Sequence, residues 1–128
     1  VEAEQQRNFS ERPKIAGVYL NRLEKGIALQ ADPTLVFAHQ DFTIKRVRKG
    51  HKEIDSPYNT YKYAGLPPGP INTPSINSID AVLNYEKHNY FYFCASGENG
   101  LHNFATDFDQ HLQNARKYQR LLNKANIE

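Results

Sequence analysis

The segment from Ser56 to Pro74 constrains this chain more than any other. It reads Ser56-Pro57-Tyr58-Asn59-Thr60-Tyr61, then Gly65-Leu66-Pro67-Pro68-Gly69-Pro70-Ile71, with four prolines and two glycines inside fifteen residues. Each proline sets its own φ, removes a backbone donor and pushes the residue before it out of the helical region. No helix or central strand can run through such a stretch, so an irregular, stiff loop is expected over 56–74. A long irregular loop in a small domain is often functional. Its side chains suit a sugar-binding groove: a tyrosine ring covers the apolar face of a pyranose, and an asparagine amide bonds its hydroxyls. The same residues serve equally well as a structural cross-over with tyrosines as filler, and composition does not separate the two.

At 128 residues the chain has the length of one domain. Seven Phe and eight Tyr supply bulky core in the absence of Trp and Met. The net charge of +2 is too small to argue for nucleic acid, although an anionic polymer is compatible with it. A single cysteine, Cys94, excludes an intrachain disulfide and a cysteine metal cluster. Flanked by Phe91, Tyr92, Phe93 and Ala95, it reads as a strand residue and not as a nucleophile. The sequence has no apolar run long enough to span a bilayer and no signal peptide. It begins at Val1 without a methionine and in mid-element, as an excised piece would, with any anchor or targeting segment expected upstream.

Residues 1–8 are good helix formers and read as the last turns of a first helix. Ser10 and Pro13 suit the start of a second helix over about 13–25, with Ile15, Val18, Tyr19 and Leu23 on one face and Gly26 as its stop. Thr34 to His39 is a short helix or a strand. Residues 41–55 carry Lys45, Arg46, Arg48, Lys49, His51 and Lys52 and read as a solvated, partly mobile surface segment, or more sharply as a contact for an acidic polymer. Ser75 caps a helix over about 76–87 with Ile76, Ile79, Val82 and Leu83 on one face. Residues 90–95 form the clearest strand, expected to be central, and 97–100 a turn. Leu101 to Ala105 is the returning strand of a hairpin. Thr106 or Asp107 caps a last helix with Phe108, Leu112, Ala115 and Leu122 inward. The expected class is α+β: a single small two-layer domain over 1–128, with a short antiparallel hairpin packed against several helices.

No phosphate loop, zinc pattern or nucleophile elbow is present, and the five histidines (His39, His51, His88, His102, His111) are scattered. Carboxylates remain. Glu2 and Glu4 are two residues apart, about 200° on a helix, so they cannot share one cleft. Glu4 has Arg7 and Asn8 at helical spacing as surface partners. Glu2 has no basic partner at that spacing and is the better inward carboxylate, one whose pKa desolvation would raise towards neutrality for general-acid work. On spacing alone, both read better as ordinary solvated helix residues.

Taken together, Val1-Glu2-Ala3-Glu4, Ile15-Ala16-Gly17-Val18-Tyr19-Leu20-Asn21-Arg22-Leu23, Leu29-Gln30-Ala31-Asp32-Pro33-Thr34, the two halves of the proline loop and His102-Asn103-Phe104 resemble, in order, the YceG-like family of endolytic murein transglycosylases. The resemblance covers nearly the whole chain. It implies a catalytic glutamate at Glu2, the match to the first glutamate of the family's Val-Glu-x-Glu stretch. It also implies cleavage of the β-1,4 bond between N-acetylmuramic acid and N-acetylglucosamine within a peptidoglycan strand, leaving a 1,6-anhydromuramoyl end and no cofactor or metal. Implied partners are peptidoglycan glycan strands and the neighbouring synthases. The implied location is the extracytoplasmic face of the cytoplasmic membrane, reached through an upstream anchor. Substrate contacts are carried over to Asn21, Gln30, Asp32, Thr34, Tyr58, Asn59, Thr60 and Tyr61, with Tyr63 and His102 as weaker candidates. Asn21 could instead bond a neighbouring loop, and Asp32 suits a loop-fixing role better than that of a second carboxylate. One carboxylic acid suffices for this chemistry, because the attacking hydroxyl belongs to the sugar. Two other readings are a non-catalytic glycan-binding module of the same fold and a nucleic-acid binder using 45–52, the latter disfavoured by the low net charge.

Overall fold

A computed structural model of the chain describes residues 1–5 and 9–125. Among these residues there are four helices: α1 (Arg12–Glu24), α2 (Asp32–His39), α3 (Ile76–Leu83) and α4 (Phe108–Lys124). Two strands, β1 (Tyr92–Ala95) and β2 (His102–Ala105), complete the regular structure, with 3-10 turns at Glu2–Glu4 and Lys49–Glu53. The class is α+β. Contacts divide the chain into two compact units, one of Val1–Asn21 with Pro74–Glu128, the other of Arg22–Thr73.

In the first unit β1 and β2 form an antiparallel hairpin in which Tyr92 faces Ala105 and Phe93 faces Phe104. α4 packs along it: Tyr92 stacks on His111 with centroids 5.0 Å apart and meets Phe108 edge-on at 5.9 Å. The Asp107 carboxylate accepts from the Gln110 N–H and starts α4. Ile15, Ala16 and Val18 of α1 are buried, as are Ala81, Ala105 and Leu122. Gly17 sits where the chain passes closest: a Cβ there would lie 2.4 Å from the Glu86 carbonyl oxygen and 2.7 Å from His88 Nε2. Glu86 N–H donates to the Pro13 carbonyl at 3.0 Å, so only a glycine admits this loop against the helix.

Several expectations are corrected here. Residues 2–4 form a 3-10 turn ending at Gln5 and not the end of an α-helix; Arg7 and Asn8, the expected partners of Glu4, lie outside the described residues. The aromatic strand is half of a two-stranded hairpin and is half-buried throughout, so it is not central. Phe108 is exposed, while Leu122 of the same expected face is buried. α3 stops at Leu83, and the residues it buries are Ser78 and Ala81. Ile76 and Leu83 are 77% and 73% exposed, and Ile79 and Val82 are also open. The reason is polar: the first turn of α3 is tied down through its serines, which turns the opposite, apolar face outward.

In the second unit α1 ends in a Schellman cap. Gly26, at φ 70°, donates to the Leu23 carbonyl, and Ile27 to that of Arg22. Thr34 to His39, left open between helix and strand, is helical. No regular element other than turns occurs between Ile54 and Ser75. That loop is held instead by Asn59, fully buried, whose amide N–H groups donate to the Lys52 and Ile54 carbonyls and whose Oδ1 accepts from the Tyr61 and Lys62 N–H groups. One side chain thus fastens four backbone groups on either side of it. Among the described residues no helix is long and apolar enough to cross a membrane.

Candidate active site

Glu2 is the most heavily hydrogen-bonded carboxylate among the described residues. Its Oε1 accepts from the Ser75 N–H (2.8 Å), the Ser75 hydroxyl (2.8 Å) and the Ser78 hydroxyl (2.7 Å). Its Oε2 accepts from Arg12 Nη2 at 3.1 Å. Ser75 is the N-cap of α3, so the carboxylate sits over the end of the helix where backbone donors point outward. About a quarter of the Glu2 side chain stays open to solvent (25%).

This environment holds the Glu2 pKa down at about 2, by the Ser75 N–H first, then the Ser78 and Ser75 hydroxyls, with Arg12 adding the least. The expected raised pKa is therefore corrected, while the basic partner comes from ten residues away and not from helical spacing. Burial opposes the shift but loses to four donors aimed at the charged form. Arg12 was not anticipated. Only 1% exposed, it donates through Nε and Nη2 to the Gln5 carbonyl (2.9 and 2.6 Å) and through Nη1 to Ser75 Oγ and Asn77 Oδ1 (both 3.1 Å). Its guanidinium also lies 4.2 Å from the Phe9 ring centroid. A buried arginine with every face committed is a structural hub, and its planar fork is what allows one residue to join the 2–5 turn to the start of α3. The signal available in the sequence was Ser75 and Ser78, three apart at a helix start.

Beside this cluster Gln5 and Glu11 bond reciprocally: Gln5 Nε2 donates to Glu11 Oε1 at 3.0 Å, and Glu11 N–H to Gln5 Oε1 at 2.8 Å. Glu11 Oε1 also takes the His102 N–H (2.9 Å) and contacts His102 Nδ1 (3.0 Å). His102 is thereby oriented by a carboxylate. Asn21 uses its amide nitrogen on the carbonyls of His88 (3.0 Å) and Tyr90 (2.9 Å), the loop-bonding alternative raised for it.

In the second unit, Asp32, Thr34, Asn59, Thr60 and Tyr61 come together. Thr60 Oγ1 accepts from the Ala31 N–H at 2.9 Å and lies 2.8 Å from Thr34 Oγ1, which donates to the Ala31 carbonyl. Thr34, Asn59 and Thr60 are buried and engaged with the chain. Asp32 is exposed as a residue, yet the protein crowded around its carboxyl pushes its pKa up, against the Tyr61 hydroxyl that donates to it and the nearby Lys52. Lys52 Nζ lies 4.8 Å from the Tyr61 ring centroid. Tyr58 is half-buried and tilted against Phe37 at 4.7 Å. Gln30 is exposed in a left-handed conformation, φ 51°, with its N–H on the Thr60 carbonyl. Tyr63 donates to Asp55 at 2.8 Å. Among the described residues no three His, Cys, Asp or Glu side chains gather as a cation site.

The YceG-like family profile matches residues 1–117. The chain belongs to the YceG-like family. It is 44% identical over 112 residues to an endolytic murein transglycosylase of Bacillus subtilis, a match covering 85% of this chain and 30% of the relative. It is 33% identical to an endolytic murein transglycosylase of Streptococcus pneumoniae, covering 84% of this chain and 20% of the relative. A crystal structure of a YceG-like protein from Listeria monocytogenes superposes with a TM-score of 0.81 at 40% identity, over 88% of this chain and 36% of that one. The chain thus spans roughly a third or less of the YceG-like relatives it matches. Glu2, Arg12, Ser75 and Ser78 all fall inside the matched range.

Proposed function

We propose that this YceG-like chain carries the catalytic domain of a peptidoglycan lytic transglycosylase, with Glu2 as acid and then base. The observation that carries the reading is the Glu2 carboxylate itself: held by donors on both oxygens, yet still open on one side. Family membership and the activity named for the relatives support it.

In the proposed reaction Glu2 protonates the oxygen linking muramoyl C1 to the next N-acetylglucosamine. The C1–O bond breaks, the muramoyl C6 hydroxyl attacks C1, and its proton returns to Glu2. The products are a free 4-hydroxyl and a 1,6-anhydromuramoyl end, and no water is consumed. Because the nucleophile is part of the substrate, its proximity replaces a second protein carboxylate. Resting Glu2 is ionised. For the acid half of the cycle the bound glycan excludes water from the open side of Glu2, which disfavours the charged form and raises its pKa. Tyr58, Tyr61, Asp32 and Gln30 are the proposed glycan contacts, while Thr34, Asn59 and Thr60 hold the backbone that presents them, and Asn21 holds the 88–90 loop instead. The proposed setting is the outer face of the cytoplasmic membrane, where the enzyme would end growing strands beside the synthases.

The charged form of Glu2 being favoured by its protein donors also supports a second reading, a glycan-binding module without turnover. Glu2→Gln separates the two. A catalytic Glu2 predicts that the variant binds peptidoglycan as the wild type does while kcat falls by about 10²–10⁴-fold. Unchanged turnover in Glu2→Gln removes Glu2 from the chemistry, and binding without product in both proteins favours the module.

A further inference from the structure

We propose that Arg12 and Ser78 are positioning residues for the reaction above, fixing the Glu2 carboxylate across the start of α3 with one oxygen on the arginine and the other on the serines. The inference rests on the proposed transglycosylase activity and adds two residues that the sequence did not single out.

The geometry gives the two residues different tasks. Arg12 is buried and makes five hydrogen bonds, of which only the 3.1 Å contact to Oε2 reaches Glu2. The remainder anchor the guanidinium to the Gln5 carbonyl, Ser75 and Asn77, so Oε2 meets a rigid donor rather than a mobile one. Lysine at this position would keep the charge and lose the fork that joins those partners. Ser78 is 3% exposed, and its hydroxyl donates to Oε1 at 2.7 Å. Its N–H is occupied by Ser75, as N-capping requires. The hydroxyl is thus free of helix capping and is aimed at the carboxylate. Ser75 supplies two further donors to the same oxygen, its N–H and its hydroxyl. A glutamate held at both oxygens keeps one rotamer, which is what a group must do to reach first a glycosidic oxygen and then a C6 hydroxyl from the same position.

Of the donors on Oε1, the Ser78 hydroxyl can be deleted with the least change to the fold. Ser78→Ala removes one charge-assisted hydrogen bond and leaves the backbone and the helix cap intact. The test has two readouts on the protein with Ser78 as Ser, Ala or Thr. The first is the titration of the Glu2 carboxyl by carbon NMR without substrate, which needs no activity. The second is the pH profile of kcat, with KM, for cleavage of purified peptidoglycan.

With Ser78→Ala the Glu2 titration and the alkaline limb of kcat, where the acid form is lost, should both move up by about one pH unit, with KM unchanged. Ser78→Thr, which keeps the hydroxyl, should restore both. Arg12→Lys should lower kcat about tenfold with KM unchanged. A Glu2 titration that stays put in Ser78→Ala, with cleavage intact, overturns the positioning role and leaves the transglycosylase reading standing. A titration that moves while the wild type makes no anhydro product overturns the transglycosylase reading, and with it any role for the clamp beyond tying down the 2–5 turn.

Discussion

Residue by residue, the molecule is organised around ionisable groups that have been given specific partners. Glu2 illustrates the consequence for stability. Its folded pKa of about 2 lies below the ordinary value of 4.5, so the folded state holds the charged form more favourably than the unfolded chain does. That contribution is fully present above pH 4.5 and is lost as pH falls from 4.5 towards 2. Glutamine at this position cannot ionise and lacks this part of the stability at every pH. The melting temperature of Glu2→Gln should therefore lie below that of the wild type above pH 5, and the gap should close as pH approaches 2. A gap that is constant through that window would show that the Glu2 charge is not held by Ser75 and Ser78. None of this was legible from spacing. Arg12 is ten residues from Glu2 and Ser75 is seventy-three away. Periodicity reports neighbours one turn apart and is silent about partners the fold brings from elsewhere.

Among the elements, what is encoded locally was readable and what depends on a partner was not. α1 begins near Pro13 and stops at Gly26 because φ restriction and the left-handed cap are properties of those residues alone. The Asp107 cap of α4, the Ser75 cap of α3 and the hairpin with its Gly-rich turn follow the same logic. α3 is the counter-example. Its apolar residues recur at helical spacing, yet that face is exposed, because the Ser78 side is fastened to Glu2. Periodicity identifies the apolar face of a helix but not whether anything covers it. The proline loop was legible as irregular, while the role of Asn59 as its internal clamp needed the fold to reveal it. The contact between α1 and the 86–88 loop offers a sharp test. Gly17→Ala places a methyl group 2.4 Å from a backbone oxygen, which must move. The expected result is a loss of about 2–3 kcal/mol in denaturant unfolding with an unchanged m-value. A neutral substitution would mean that the loop is not held against α1 by Glu86 and His88.

As a whole molecule, the chain joins two compact units within one YceG-like match, and the candidate residues divide between them. Glu2 and its clamp belong to the first, and the tyrosine loop with Asp32 to the second. The family was readable because its motifs occur in order along nearly the whole length, a property of the sequence that does not depend on side-chain geometry. The chemistry is a different matter: a single carboxylate can serve either a hydrolase that recruits water or a transglycosylase whose nucleophile is the sugar. Running the cleavage of purified peptidoglycan in heavy-oxygen water and reading the new ends by mass spectrometry distinguishes them most directly. Intramolecular attack by the C6 hydroxyl predicts anhydromuramoyl ends that carry no heavy oxygen. Labelled reducing ends would contradict it, showing that water and not the substrate supplies the nucleophile.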